Sequence, residues 1–211
     1  MGRKTKITRE MILDAAYELL DEEGIGGVAI KSIASKLGCS TQPVSWQFGS
    51  MNELKKELLM FASAKMRVIM GEAVMGREAI EAFFMTGVQY IALACDHPNV
   101  FRFLCVDDPS KSIGEDLLEG QSIFSVGFSP DMAELMAATY KVPEEEIATV
   151  VRDVVIYTHG LAVMMMYDSY KLPKKIACEM VFDVGTRMIA STGIEISDSR
   201  KKAILKAAGI S

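Results

Sequence analysis

Apolar positions at Ile12, Ala15, Ala16, Leu19 and Leu20 recur at i, i+3, i+4, i+7 and i+8, the spacing of a helix that buries one face. Thr8 offers an N-cap ahead of them and Gly24 a stop behind them. A loop holding Gly24, Gly26 and Gly27 follows, after which Ile30, Ile33, Ala34 and Leu37 mark a short second helix ending at Gly38. A third short helix can begin at Thr41. From Met51 the pattern lengthens and predicts helices over 51–75 and 77–95, a short one over 99–106, and three more over 130–141, 143–169 and 173–191. Pro130, Pro143 and Pro173 stand at the starts of the last three, where a missing N–H costs nothing. Residues 107–129 are richer in Gly, Ser and Asp and read as a helix interrupted by loops, and 197–208 read as a last amphipathic helix around Ala203, Ile204 and Ala207. No stretch alternates as a strand would and no segment repeats, so the chain is expected to be all-α.

With 211 residues, 50% apolar and 24% charged, the chain can bury a core without disulfide or metal support and is neither disordered nor fibrous. A net charge of −5 means that the chain as a whole does not attract nucleic acid, so any DNA binding has to come from a local basic surface. Cys39, Cys95, Cys105 and Cys178 are scattered, and only His97 and His159 could join them, so no zinc cluster, disulfide scaffold or cofactor is expected. The first residues carry Arg3, Lys4, Lys6 and Arg9 without an acid or a long apolar run, unlike a signal peptide, and the cytoplasm is the expected compartment. Residues 154–167 hold no charged side chain but fall short of the roughly 20 residues that a bilayer requires. They read as part of a helix buried on most of its circumference, with no membrane as partner.

The tight connection from Ile33 to Thr41 meets the requirements of a helix-turn-helix. Ala34 is small where two helices must touch, Gly38 can take the positive φ needed to leave the second helix, and Ser40 can cap the third. With a helix over 41–48, Val44 and Phe48 face inward against Ile33 and Leu37. Thr41, Gln42, Ser45 and Trp46 then share the outward face, with Gln47 at its edge. Trp46 either packs on the loop after Gly49 or meets a bound partner. Gln42 and Gln47 beside it suit the second alternative, because amide side chains can read base edges in the major groove.

Residues 12–54 resemble the DNA-binding domain of the TetR/AcrR family of bacterial and archaeal repressors: an Ala-rich first helix, Ile33-Ala34 and Leu37-Gly38 in the second, the aromatic Phe48, and Asn52-Glu53-Leu54 opening the fourth. Two positions depart from the family pattern, Ser45 where it has Tyr and Met51 where it has Lys. Both usually contact phosphate, and Lys55 or Lys56 one turn later can substitute. Further on, residues 97–103 (His-Pro-Asn-Val-Phe-Arg-Phe) are similar to a stretch of the family's regulatory domains, and His159-Gly160-Leu161-Ala162 to the His-Gly core of a signature whose preceding Trp is absent here.

The resemblance implies an N-terminal helix-turn-helix domain over 1–50 and a helical regulatory and dimerisation domain over 51–211. It also implies a repressor that sits as a homodimer on a palindromic double-stranded DNA operator and is released by a small apolar or amphipathic effector, the alternative being a constitutive DNA-binding regulator or adaptor without an effector pocket. The DNA-binding set on this reading is Lys4, Lys6, Lys31, Ser40, Thr41, Gln42, Ser45, Trp46, Gln47 and Lys55. Two further sets follow from the later helices. Met66, Met70, Phe84, Phe101, Tyr157 and His159 are candidates to line an effector cavity, in which thioether chains repack cheaply. Solid core is the alternative for all of them, and for His159 a hydrogen bond to a neighbouring helix. Val151, Val155 and Ala162 on the 143–169 helix, with Met180, Val184 and Met188 at steps of four on the next, are candidates for a dimer interface built as a four-helix bundle. Glu144, Glu145 and Glu146 complement the dipole of the helix they open, or suggest a cation site. No phosphate loop, no nucleophile paired by motif with a His and no carboxylate pair suggests an enzyme.

Overall fold

The computed structural model of the chain describes residues 7–107, 130–167 and 169–210, and every regular element among them is helical. These are α1 (Arg9–Glu23), α2 (Ile30–Lys36), α3 (Thr41–Phe48), α4 (Met51–Val74), α5 (Ala79–Asp96) and α6 (Pro98–Phe101), which runs on into a wider π turn at Arg102–Val106. After them come α7 (Pro130–Tyr140), α8 (Glu144–Met165), α9 (Lys174–Ala190) and α10 (Asp198–Ala207). Local chemistry sets the ends. Thr8 Oγ1 accepts from Met11 N at 3.2 Å, Gly24 leaves α1 at φ +74°, Pro143 and Pro173 occupy the N-caps of α8 and α9, and Ser197 Oγ accepts from Arg200 N at the head of α10. Of the stretch 107–129 only Asp107 is among the described residues, and Lys4 and Lys6 lie outside them.

The chain divides into two compact units. Among the described residues the first comprises 7–66 and 97–107, and the second 67–96 with the rest. The division falls inside α4, and the α6 segment belongs with the N-terminal helices although α5 before it does not. In the first unit the apolar face of α1 is buried as its periodicity requires, and Ile33, Ala34, Val44, Phe48, Leu54 and Leu58 complete that core. α6 packs on α1, and Val100 and Phe101 are wholly buried there. Asn99 Nδ2 donates to Asp21 O at 2.9 Å, and His97 Nδ1 lies 2.8 Å from Asp21 Oδ2.

In the second unit α5 is the central helix, packed on α7, α8, α9 and α10. Its partner α9 comes close at two glycines, Gly185 on α9 and Gly87 on α5, where a Cβ would stand 3.3 Å from Val181 Cγ1. The Phe84 and Phe182 rings stack with centroids 4.2 Å apart, and a Cβ built on Gly185 would stand 2.6 Å from Phe84 Cε1. At the other end of this contact Lys174 Nζ bonds both oxygens of Asp96, at 2.6 and 2.9 Å.

Two expectations for α8 need correction. Its buried face is Ile147, Val150, Val151, Val154, Thr158, Leu161 and Ala162, whereas Ile156 is 56% and Met164 45% exposed, so the helix is covered on one side and not on most of its circumference. Val151 and Ala162, expected at the dimer surface, therefore belong to the core of their own chain. Both faces of α8 are apolar, and a period of 3.6 cannot say which of two apolar faces turns inward. Val155 is half-buried, as are Met180, Val184 and Met188 on α9. By length and composition α8 is also the one helix among the described residues that could cross a membrane, but its inner face is spent on α5, α7 and α9.

The Gly185 contact predicts that Gly185→Ala lowers stability by about 1 to 3 kcal/mol in urea unfolding, although Ala is the better helix former, because the new methyl meets an aromatic ring already stacked on its other side. Gly26→Ala, where a Cβ meets nothing within 4 Å, should stay within about 0.5 kcal/mol of wild type. Equal stability of the two variants would show that the Phe84–Phe182 stack yields.

Candidate nucleic-acid interface

The turn between α2 and α3 closes with two backbone bonds. Gly38 N donates to Ser35 O at 3.1 Å and Cys39 N to Ala34 O at 3.0 Å, the pair of the Schellman motif, which needs a left-handed residue at its centre. Gly38 supplies it at φ +63°. Ala34 is buried at this crossing, and Val44 and Phe48 turn α3 inward on the first unit's core. At its far end α3 stops at Gly49, φ +69°. Ser50 Oγ then accepts from Glu53 N at 3.1 Å and caps α4. The Ser-x-x-Glu spacing at Ser50 and Glu53 is a capping-box signal that the periodicity reading passed over.

What α3 shows to solvent is a polar face with one large ring. Thr41, Gln42, Ser45 and Trp46 are exposed, Trp46 by 83%, so its indole does not pack on the loop after Gly49. Ser40 holds the N-cap position in extended conformation, but its side chain makes no cap hydrogen bond, contrary to the expected role, and is exposed. Lys31 is exposed on α2, and Lys55 is half-buried on α4. Gln47 departs furthest from expectation. It is half-buried, and its Nε2 donates to the Ile7 carbonyl at 2.7 Å, so its amide is engaged by the protein itself.

Arg9 plays a part that no local pattern announces. Its Nε donates to Glu57 Oε2 at 2.7 Å, its two terminal nitrogens bond Glu57 Oε1 and the Gln47 carbonyl, and its guanidinium lies 4.2 Å from the centroid of the Phe48 ring. The hydrogen bond to Glu57 holds its pKa above the ordinary arginine value. One planar fork thus joins the start of α1, the last turn of α3 and α4, a geometry that a lysine could not reproduce.

Charge is sorted along the same unit. Every carboxylate of the first fifty residues lies on α1, and between Gly24 and Ser50 there is neither Asp nor Glu. Lys36 is tied to Glu18 and Glu22, at 3.1 and 3.0 Å, which leaves hydroxyls, amides and the Lys31 ammonium to make the α2–α3 surface. Such groups bond phosphate oxygens and base edges without the repulsion that a carboxylate would add.

The six effector candidates do not share one unit. Met66 and Phe101 belong to the first unit, Met70, Phe84, Tyr157 and His159 to the second. Phe101 is wholly buried in the α6 segment, and Phe84 stacks on Phe182, so both are packed in the cores of their own units. Sequence spacing missed this because α6 follows α5 in the chain but packs on α1. Met70, Tyr157 and His159 are half-buried. The Tyr90 hydroxyl and His159 Nδ1 lie 2.8 Å apart, joining α5 to α8, and burial lowers the His159 pKa below the usual histidine value.

A family model of bacterial regulatory proteins of the tetR family matches residues 12–58, the span from α1 to the first turns of α4. A Bacillus subtilis (strain 168) protein described as an uncharacterized HTH-type transcriptional regulator, YobS, is 21% identical over 191 residues, which cover 88% of this chain and 93% of that protein. Among solved structures, a TetR-like transcriptional regulator from Rhodococcus sp. RHA1 superposes with a TM-score of 0.64 at 15% identity over 90% of this chain and 98% of that one. A TetR variant from Acinetobacter baumannii AYE in complex with minocycline superposes with a TM-score of 0.57 at 13% identity, over 91% and 100% of the two chains.

The His159 environment carries a pH signature. A histidine whose folded pKa is depressed takes its proton more readily in the unfolded chain, so its contribution is absent above the unfolded pKa and turns destabilising as pH falls below about 6.5. Stability should therefore decline on acidification below about pH 6.5, and His159→Gln should flatten that decline. Urea midpoints measured across this window in both proteins check it, and parallel curves would remove His159 as a source.

Proposed function

We propose that this chain, which belongs to the TetR family of transcriptional regulators, acts as a repressor that reads a palindromic operator as a homodimer and leaves it when a small apolar or amphipathic molecule binds the second unit. The observation that carries DNA reading is the exposed face of α3, where Thr41, Gln42, Ser45 and Trp46 stand on a helix held by a glycine turn within the span matched to the family. An indole left 83% exposed on a carboxylate-free surface suits a partner that offers flat apolar edges and negative charge, which are the groove floor and the phosphates of DNA. Each subunit lays α3 in one major groove, with half-sites about one helical turn or more apart.

Dimerisation is assigned to the outer sides of α8 and α9. On α8 the positions Ile156, Gly160, Val163 and Met164 form one outward stripe, and Ile176, Met180, Val184 and Met188 form another on α9. The two helices pack on each other within the chain, so a second copy can add its own pair to make four. The effector contacts are assigned to Tyr157 and His159 on α8, with Tyr90 as the hydrogen-bonded neighbour. The effector changes operator affinity only to the extent that it binds one arrangement of the dimer more tightly than the other.

Selection of DNA sites with the purified chain is expected to return a palindrome. Trp46→Ala and Gln42→Ala should each weaken binding to the selected site by about 1 to 3 kcal/mol and relax preference at one position of each half-site. Unchanged affinity and preference in both variants would remove α3 as the reader. Val184→Glu and Met164→Glu should convert a dimer at micromolar concentration into monomers with weak operator affinity, as read by analytical ultracentrifugation. A wild-type monomer under those conditions would defeat the dimer assignment. Native mass spectrometry with a thermal-shift screen of hydrophobic metabolites tests the effector. No bound mass and no stabilising compound would favour a regulator that works without one.

A further inference from the structure

Arg9 brings a positive charge to the unit that carries the helix-turn-helix, but that charge is already answered inside the protein. We infer that Arg9 is a positioning residue for sequence discrimination: it fixes the roll of α3 against α4, so that the exposed side chains of α3 meet one set of base edges, and it is not a phosphate contact. The inference rests on the DNA-binding reading above and adds a residue role to it.

Three observations carry it. Nε and one terminal nitrogen of Arg9 donate to the two carboxylate oxygens of Glu57 on α4, the first at 2.7 Å, so the guanidinium is paired bidentately. The other terminal nitrogen donates to the Gln47 carbonyl in the last turn of α3. A helix leaves its last carbonyls without a partner of its own, so this bond fills a gap that α3 cannot fill and sets a cation at the negative end of the helix dipole. The same guanidinium lies 4.2 Å from the centroid of the buried Phe48 ring.

The physical consequence is resistance to roll. Val44 and Phe48, the buried residues of α3, stand one turn apart on a single line, and a short cylinder held along one line can turn about it. At a helix radius of about 5 to 6 Å a roll of about 20° moves an outward group by about 2 Å, enough to lose a hydrogen bond to a base edge. Residue 47 lies about 100° around the axis from residue 48, so a bond from Arg9 to its carbonyl, carried on to α4 through Glu57, opposes that turn. A guanidinium paired in this way also has little net charge to offer a phosphate. A phosphate contact acts on affinity for all sequences and on its salt dependence, whereas a positioning residue acts on the ratio of affinities for operator and unrelated DNA.

The test uses the full chain with Arg9→Lys, which keeps the charge but not the fork, Arg9→Gln, Glu57→Ala, and Arg9→Lys combined with Glu57→Ala. Binding to the selected operator and to an unrelated duplex of equal length is measured by fluorescence anisotropy across a salt series. Partial loss of fold lowers the active fraction equally for both duplexes and leaves their affinity ratio unchanged, which separates positioning from stability. Arg9→Lys and Arg9→Gln should each lower that ratio about tenfold and leave the salt slope on the unrelated duplex as in wild type. Glu57→Ala should lower the ratio by a similar factor, and the double variant should lose no more than either single one. If Arg9→Lys keeps the wild-type ratio while Arg9→Gln weakens both duplexes alike and reduces the slope by about 0.9, Arg9 is a phosphate contact and the inference is overturned. Losses that add in the double variant would also overturn it, because Arg9 would then not act through Glu57. Equal affinity of the wild-type chain for the two duplexes would overturn the DNA-reading function itself, a result distinct from both.

Discussion

A helix of eight residues is too short to hold its own shape in water, where about 12 to 15 are needed for marginal stability. α3 has eight, so its direction is decided by what grips its ends and its inner side. At one end Gly38 takes the left-handed conformation that lets α2 finish and α3 begin within a few residues. Along its side Val44 and Phe48 are sunk in the core. At the other end the Arg9 guanidinium binds the Gln47 carbonyl, covers the Phe48 ring and returns to α4 through Glu57. The exposed residues between these anchors gain their fixed spacing from groups that hold the helix at its ends and on its inner side.

The features that sequence alone discloses are those whose partners lie within a turn or two. Thr8, Gly24, Gly38 and the prolines at 143 and 173 mark boundaries because each acts on its own backbone. The inner face of α1 and the inward pair Val44 and Phe48 follow from period alone. The rest depended on partners far along the chain. Arg9 reads as one more base in a basic segment until Glu57, 48 residues away, is seen beside it, and Gln47 reads as a solvent amide until Ile7 is seen within bonding distance. Phe101 and Phe84 look like equal candidates for a cavity wall, and only packing shows that one joins the α1 core and the other a ring stack. α8 is the hardest case, since a helix apolar on two sides has no preferred inward face until α5 and α7 choose one.

Consecutive residues have opposite commitments at the end of α5. Asp96 is bonded to Lys174 within the second unit, and His97, the next residue, stands against Asp21 within the first. Asn99 adds a second attachment to the end of α1. Each of these polar bonds fastens a segment to its own unit, so the boundary between the units in the sequence is fixed to a single peptide bond at this point.

The sorting of charge in the first unit also bears on the side from which a polyanion would approach it. Glu10, Asp14, Glu18, Glu22 and Glu23 project from α1, while the surface from Gly24 to Ser50 carries no acid. A strongly negative rod approaching such a body exerts a torque as well as a force, turning the acidic side outward before contact is made. Within the first unit the two sides thus differ in what they offer a polyanion, although the chain as a whole bears a charge of −5. Moving one carboxylate from α1 to α2 would weaken that contrast without altering a single atom of α3.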